Sequence, residues 1–404
     1  MLRVRKALVV AYACVVTLCV ATACGNDASP APVTKTTQAR GDVLATSPGL
    51  DSWTAVLPPH TRVTRLNYTS TSGVDNSQTA VTGAVFVPGG SWPAGGWPLI
   101  AFAHGTTGLA RDCGPSDHPD MFGEVSLIGS FIRAGYAVVT TDYQGLSTRV
   151  DAPAHPYLEP RTAAYNVIDS VHAARSVEPT IGAKWVVVGP SQGGAAAWAT
   201  AEQYGEYEHS EYENSTQTGE LVGAVAMSPV LDMTGYADAA AHGTLNTAQR
   251  FLYPLIVVGA SRTDSRIDPG TYLPGLSTND VDSRLSCATG RSALAAQSHS
   301  PDPQALGSTA TQDSSDATEQ LRNTLQRFAL PSARTDVPIL AIYGSADEIN
   351  PVQVTEAAVT RACSVGDRVE RDRREGLGHS FDPGPILGEW IGARMRGLHV
   401  RSDC

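Results

Sequence analysis

Charge is scarce in this sequence. Asp, Glu, Lys and Arg make up 17% of its 404 residues, against 42% apolar. A chain so composed is not held open by its own charge, and it has material for a sizeable core. Positive charge is the scarcer sign: 29 Lys and Arg stand against 40 Asp and Glu, a formal net charge of −11. That balance repels phosphate backbones and anionic bilayers, which excludes nucleic acid as a partner and membrane binding through surface charge. Closely spaced cysteines are missing as well. No two of the seven form a CxxC pair, so zinc-site spacing is absent, and no other metal or cofactor motif is found. Internal repeats are lacking, which excludes a solenoid. Ala7–Val20, the apolar run nearest the N-terminus, is short for a membrane span.

What is present begins with an export signal. Met1–Lys6 is basic, Ala7–Val20 is apolar, and Ala21-Thr22-Ala23-Cys24-Gly25 brings small residues up to a cysteine. This predicts a signal peptide over 1–23 and a lipidated Cys24 as the first residue of a cell-surface lipoprotein. The lipid would then be the chain's sole contact with a membrane. Ordinary cleavage after Ala23, giving a secreted protein, and an uncleaved anchor are the alternatives. Residues 24–50, rich in Ser, Thr, Pro and Ala, read as a flexible tether. Beyond the signal stand Cys113, Cys287, Cys363 and Cys404. An even number in an oxidising compartment predicts two disulfides, with three pairings open.

Arg62–Thr71 and Thr79–Pro88 alternate in hydropathy and read as antiparallel strands. Continuous apolar runs follow at Pro98–Ala103, Ala137–Thr141, Trp185–Val188, Ala224–Met227 and Pro338–Tyr343. Such runs suit strands buried on both faces of a parallel sheet. Thr162–Val177 and Gly193–Tyr204 have helical spacing between them, so the class is α/β. After Pro229 the rhythm breaks until Pro338. That stretch holds helix-like Leu245–Val258 and Thr318–Leu330 and a polar loop near 307–317. A loop of that length without structure is uncommon. The reading is a core of residues 51–231 and 336–404 with a mainly helical cap inserted over 232–335. Phe251–Val258 is either an acyl-binding wall or the cap's own core. Arg368–Glu375 mixes both signs and reads as a solvated face.

The strongest motif is Gly189-Pro190-Ser191-Gln192-Gly193-Gly194, between a strand pattern and an Ala-rich helix. A G-x-S-x-G in that setting is a nucleophile elbow, a turn so tight that small residues must flank the serine. The serine hydroxyl needs a base, and on α/β-hydrolases the order is serine, acid, histidine. Asp347, in the loop after Pro338–Tyr343, is the acid, with Glu348 its rival. His379, between small residues in Gly376-Leu377-Gly378-His379-Ser380, is the base, and His399 is a worse choice. One oxyanion donor is the backbone N–H of Gln192. The second comes from either His104-Gly105-Thr106-Thr107-Gly108 or Asp142-Tyr143-Gln144-Gly145-Leu146.

Thr140-Thr141-Asp142-Tyr143-Gln144-Gly145-Leu146 with His155-Pro156-Tyr157, together with His104–Gly108 and the elbow, resembles secretory lipases of the Candida antarctica lipase A type, from about residue 50 to the end. The resemblance implies an α/β-hydrolase fold, a mostly parallel sheet flanked by helices, with a helical cap. It implies lipase or esterase activity on small-molecule or lipid esters. It also implies that Asp142 joins Gln192 in the oxyanion hole, and disulfides Cys113–Cys287 and Cys363–Cys404. The chain departs from the family at Ser147, where a glycine is usual, and at Pro190, where tyrosine is. The expected function is serine carboxylester hydrolysis, with triacylglycerol-like esters as substrates. A non-lipase esterase or peptidase on the same fold is the alternative, and from another class a non-catalytic lipid-binding lipoprotein.

Overall fold

The computed structural model describes residues 38–212, 219–277, 285–287 and 315–404. The expected signal peptide, the lipidated Cys24, the start of the tether and most of the polar loop near 307–317 lie outside those residues.

Among the described residues nine strands form one sheet, in the order β1-β2-β3-β5-β4-β6-β7-β8-β9. They are β1 Val43–Pro48, β2 Arg62–Thr71, β3 Gln78–Val87, β4 Trp97–Ala103, β5 Ala137–Thr141, β6 Ile181–Pro190, β7 Glu220–Met227, β8 Ile339–Gly344 and β9 Val369–Arg374. The pairings from β5 through β9 are parallel, while β1, β2 and β3 pair antiparallel up to β5. The central strands send alternate residues to opposite faces. Val187 and Val139 enter one core cluster, Val186, Val188 and Val138 the other. Both clusters are buried, which is why these strands read as continuous apolar runs.

On one face lie α2 Pro160–Val177 and α3 Gln192–Tyr212, whose buried alanines let the helices settle close to the sheet. On the other lie α1 Val125–Arg133, through Ile128, Phe131 and Ile132, and α8 Pro385–Met395, through Leu387, Trp390 and Ile391. Each such side chain contributes roughly 2 kcal/mol of burial. Between β7 and β8 stand α4 Gly235–Ala241, α5 Thr247–Ser261 and α6 Ser315–Gln326. They pack a separate cluster containing Tyr236, Leu252, Val257, Leu321 and Leu325. This is an α/β-hydrolase fold with an inserted, mainly helical cap. The apolar run Phe251–Val258 serves that cap's own core, with Val257 fully buried. Helix α7 Val352–Val365 follows β8.

Two segments form strands that their patterns did not show. Residues 43–48, read as tether, form the edge strand β1 on β2. Arg368–Glu375, read as a solvated face, contains β9, which closes the opposite edge on β8. An edge strand needs only its neighbour's backbone, and charged or proline residues there block further pairing. Neither property leaves a hydrophobic period to read. The disulfides are Cys113–Cys287, joining the β4–α1 connection to the chain between cap helices α5 and α6, and Cys363–Cys404, joining α7 to the C-terminus.

Candidate active site

The motif around Ser191 turns β6 into α3 at the C-terminal ends of the parallel strands. Ser191 adopts a left-handed backbone, φ 55°, which costs an L-residue about 1 kcal/mol or more. Its N–H donates to Met227 O at 2.8 Å. The flanking glycines are steric necessities. A Cβ on Gly189 would lie 2.2 Å from Gly193 O, and one on Gly193 would lie 2.0 Å from Ala103 O. Gln192 is the first residue of α3, so its N–H is among those a helix cannot satisfy internally, at the positive end of the macrodipole.

His379 Nε2 lies 2.9 Å from Ser191 Oγ, and His379 Nδ1 lies 2.8 Å from Asp347 Oδ2. A carboxylate only accepts, so Nδ1 carries the proton and Nε2 is left to accept from the serine hydroxyl. The Asp347 side chain is 3% exposed and that of His379 is 8% exposed. Asp347 also caps its own turn: Oδ1 accepts from Ile349 N and Asn350 N, both at 2.9 Å. The rival Glu348 takes the backbone N–H of His379 at 3.1 Å instead. His399 lies beyond α8, its carbonyl accepting from Arg394.

Sequence reasoning missed the residues that hold the acid loop. From the cap, Tyr236 Oη donates to Ile349 O at 2.8 Å and Asn246 Nδ2 to Glu348 O at 2.7 Å. From within the loop, Asn350 Nδ2 donates to Pro229 O at 2.8 Å. These are contacts to main-chain carbonyls, which leave no mark in a linear sequence.

The two loops left open for the second oxyanion donor are held differently. The His104–Gly108 loop abuts the elbow, since a Cβ on Gly105 would lie 3.5 Å from Pro190 O and 3.9 Å from Ser191 Cβ. Asp142 is fully buried and engaged elsewhere. Its N–H donates to Thr82 O at 2.7 Å, Oδ1 accepts from Ser116 N at 2.8 Å, and Oδ2 accepts from Thr82 Oγ1 at 2.5 Å and from Ser116 Oγ. Arg149 stands 3.5 Å away. The Asp142 N–H is thus bonded to a β3 carbonyl in this structure. The next residue, Tyr143, supports the other loop, donating from Oη to His104 O at 3.1 Å. Burial lowers the pKa of the His104 imidazole. Among the described residues, the one grouping of metal-type ligands is Asp112 with Cys113 and Cys287. Its sulfurs form a disulfide.

Residues 121–255 match the family model of secretory lipases. No curated protein matches the chain. Among solved structures, the rice cell wall degrading esterase LipA from Xanthomonas oryzae is 21% identical with a TM-score of 0.64, over 89% of this chain and 95% of that one. Candida antarctica lipase A in its closed state is 17% identical with a TM-score of 0.68, over 92% and 86%. A putative hydrolase from Legionella pneumophila is 16% identical with a TM-score of 0.63, over 88% and 96%. The matched segment spans the elbow and the Asp142 and His155 motifs, which bears out the resemblance to secretory lipases. The structural matches bear out the α/β-hydrolase fold.

Proposed function

We propose that this α/β-hydrolase is an exported serine carboxylester hydrolase acting on lipid-like esters through an acyl-enzyme. The observation that carries the reading is the unbroken relay from Ser191 Oγ through His379 to Asp347, on an elbow with no room for a Cβ at positions 189 and 193. Ser191 Oγ attacks the ester carbonyl carbon as its proton passes to His379 Nε2. Asp347 holds the tautomer and stabilises the imidazolium. The carbonyl oxygen becomes an oxyanion facing the N–H of Gln192 and a donor of the His104–Gly108 loop, each worth roughly 3 kcal/mol of barrier. The tetrahedral adduct collapses, the C–O bond to the alcohol breaks, and the alcohol leaves with the proton from His379. Water then repeats the sequence on the acyl-enzyme, releasing the acid and restoring Ser191.

The cap over 232–335, set on a core of 51–231 and 336–404, selects the substrate in this reading. Lipidation at Cys24 or plain secretion would put the enzyme outside the cell, where its disulfides persist. Hydrolysis of p-nitrophenyl esters of increasing acyl length, with emulsified triglyceride as a second substrate and Ser191→Ala as control, tests the whole. Loss of turnover in Ser191→Ala with activity on long acyl chains and triglyceride supports the reading. Hydrolysis by Ser191→Ala at the parent rate sinks the catalytic assignment. Cleavage of acetyl esters alone removes the lipase part. Mass measurement of the mature N-terminus tests the anchor.

A further inference from the structure

We infer that His155 is a positioning residue for ester hydrolysis, holding the side chain of Gln192 and thereby the backbone N–H that faces the developing oxyanion. The inference rests on the proposed reading of Ser191 as nucleophile and Gln192 as oxyanion donor. His155 is 3% exposed and comes from a loop distant in sequence from the elbow. Its Nδ1 lies 3.0 Å from Gln144 O. A carbonyl only accepts, so Nδ1 carries the proton and Nε2 is an acceptor. Gln192 Nε2 stands 2.9 Å from that acceptor. The other end of the amide, Gln192 Oε1, is buried with no partner among the described residues. The contact with His155 is therefore what orients this side chain at the first residue of α3.

The ring is itself held on several sides. It stacks on Tyr143 at 5.8 Å between centroids and leans on Tyr157 at 6.1 Å. Gly145 brings the Asp142 loop against its backbone, since a Cβ there would lie 2.4 Å from His155 N. Arg262, at the end of α5 in the cap, donates to His155 O at 2.9 Å. Thus the seating of the cap, the Asp142 loop and the oxyanion turn meet at one imidazole. Burial, and next Arg262, push its pKa down to about 3. The ring stays neutral at any working pH and acts as an acceptor, not as an acid or base. The sequence motif His155-Pro156-Tyr157 marked the place without showing what the histidine touches.

Two variants remove the same hydrogen bond from its two ends. His155→Phe keeps a ring and loses the acceptor; Gln192→Met keeps the length and the backbone N–H and loses the donor. Both and their double combination are assayed on a short p-nitrophenyl ester, and each is titrated with a trifluoromethyl ketone that mimics the tetrahedral adduct. The expected result is a fall in kcat of about tenfold to a hundredfold with KM within about twofold. Ketone affinity should fall in step with kcat/KM. The double variant should be no slower than the slower single, since one bond is lost in all three. A purely structural role would lower the melting temperature while leaving ketone affinity per active site unchanged. If His155→Phe does not fold, Gln192→Met carries the test alone through kcat and ketone affinity. Parent-like kcat in Gln192→Met, or losses that multiply in the double variant, overturns the inference. Retained turnover in Ser191→Ala would instead overturn the underlying reading, so the two failures are distinct.

Discussion

The site has two halves, and they are held in opposite ways. The nucleophile half is wedged. Ser191 sits in a left-handed turn between glycines whose missing Cβ atoms would strike backbone, 2.0 Å from Ala103 O in the case of Gly193. The acid–histidine half is tied. Asp347 and His379 stand on loops after β8 and β9, fixed by Glu348, which accepts from His379 N, and by hydrogen bonds donated by Asn350, Tyr236 and Asn246. The last two belong to the cap. A wedge fails all at once when an atom is added. A set of ties loosens in steps, and here the cap holds some of them. In the proposed reaction the half that presents the nucleophile is thus rigid, and the half that would shuttle the proton is coupled to the cap.

The largest expected effect cuts the principal tie and leaves the wedge intact. Asp347→Asn should lower kcat by about 10⁴-fold with little change in folding, because the amide no longer stabilises the required tautomer or the imidazolium. Steady-state kinetics beside a denaturant melt would check it, and a fall below tenfold would say that Asp347 is not the acid. Breaking the wedge should act on stability instead. Gly193→Ala should cost about 3 kcal/mol or more by driving a methyl into the Ala103 carbonyl. The unfolding midpoint reads this directly, and an unshifted midpoint would mean the elbow is not wedged.

A third test concerns a buried carboxyl on the helix that follows the elbow. Glu202 on α3 accepts from Ser332 N at 3.0 Å and Ala333 N at 3.1 Å, where the chain returns from the cap toward β8. Burial pushes its carboxyl up from 4.5 to about 7. The folded protein therefore holds a proton there that the unfolded chain has released. The stability this contributes is full below pH 4.5 and is lost as pH rises to about 7, on the order of 3 kcal/mol. Unfolding free energies of Glu202→Gln measured across that window should show a flatter decline than the parent. Parallel pH profiles would remove Glu202 from the account. The smallest expected effect loosens one tie from the cap. Tyr236→Phe deletes the bond to Ile349 O and should lower kcat severalfold, about 1 kcal/mol, with the elbow's stability unchanged. A reduction as large as that of Asp347→Asn would mean the cap does more than steady the loop.

The legible and illegible parts follow the same division. The elbow could be read because its steric demand selects glycine at fixed offsets from Ser191. The central strands could be read because burial on both faces fills them with apolar residues. Residues 43–48 and 369–374 could not be read as strands, because an edge asks for backbone pairing and little else. Asp347 and Glu348 are adjacent carboxylates on one loop. Only their directions assign the imidazole to the first and the main-chain N–H of His379 to the second. Asp142 shows the reverse limit. Its motif was recognisable, yet its contacts with Thr82 and Ser116 depend on strands and turns far apart in the chain.

By itself the sequence determined the α/β alternation, the interrupting cap and the place of the nucleophile elbow, because each rests on periodicity or on a local steric limit. Tertiary structure alone decided which carboxylate meets the histidine, which loop faces the elbow, and that His155 holds Gln192. Those choices depend on hydrogen-bond directions between segments far apart in the chain, and direction is set only when the sheet has brought them together.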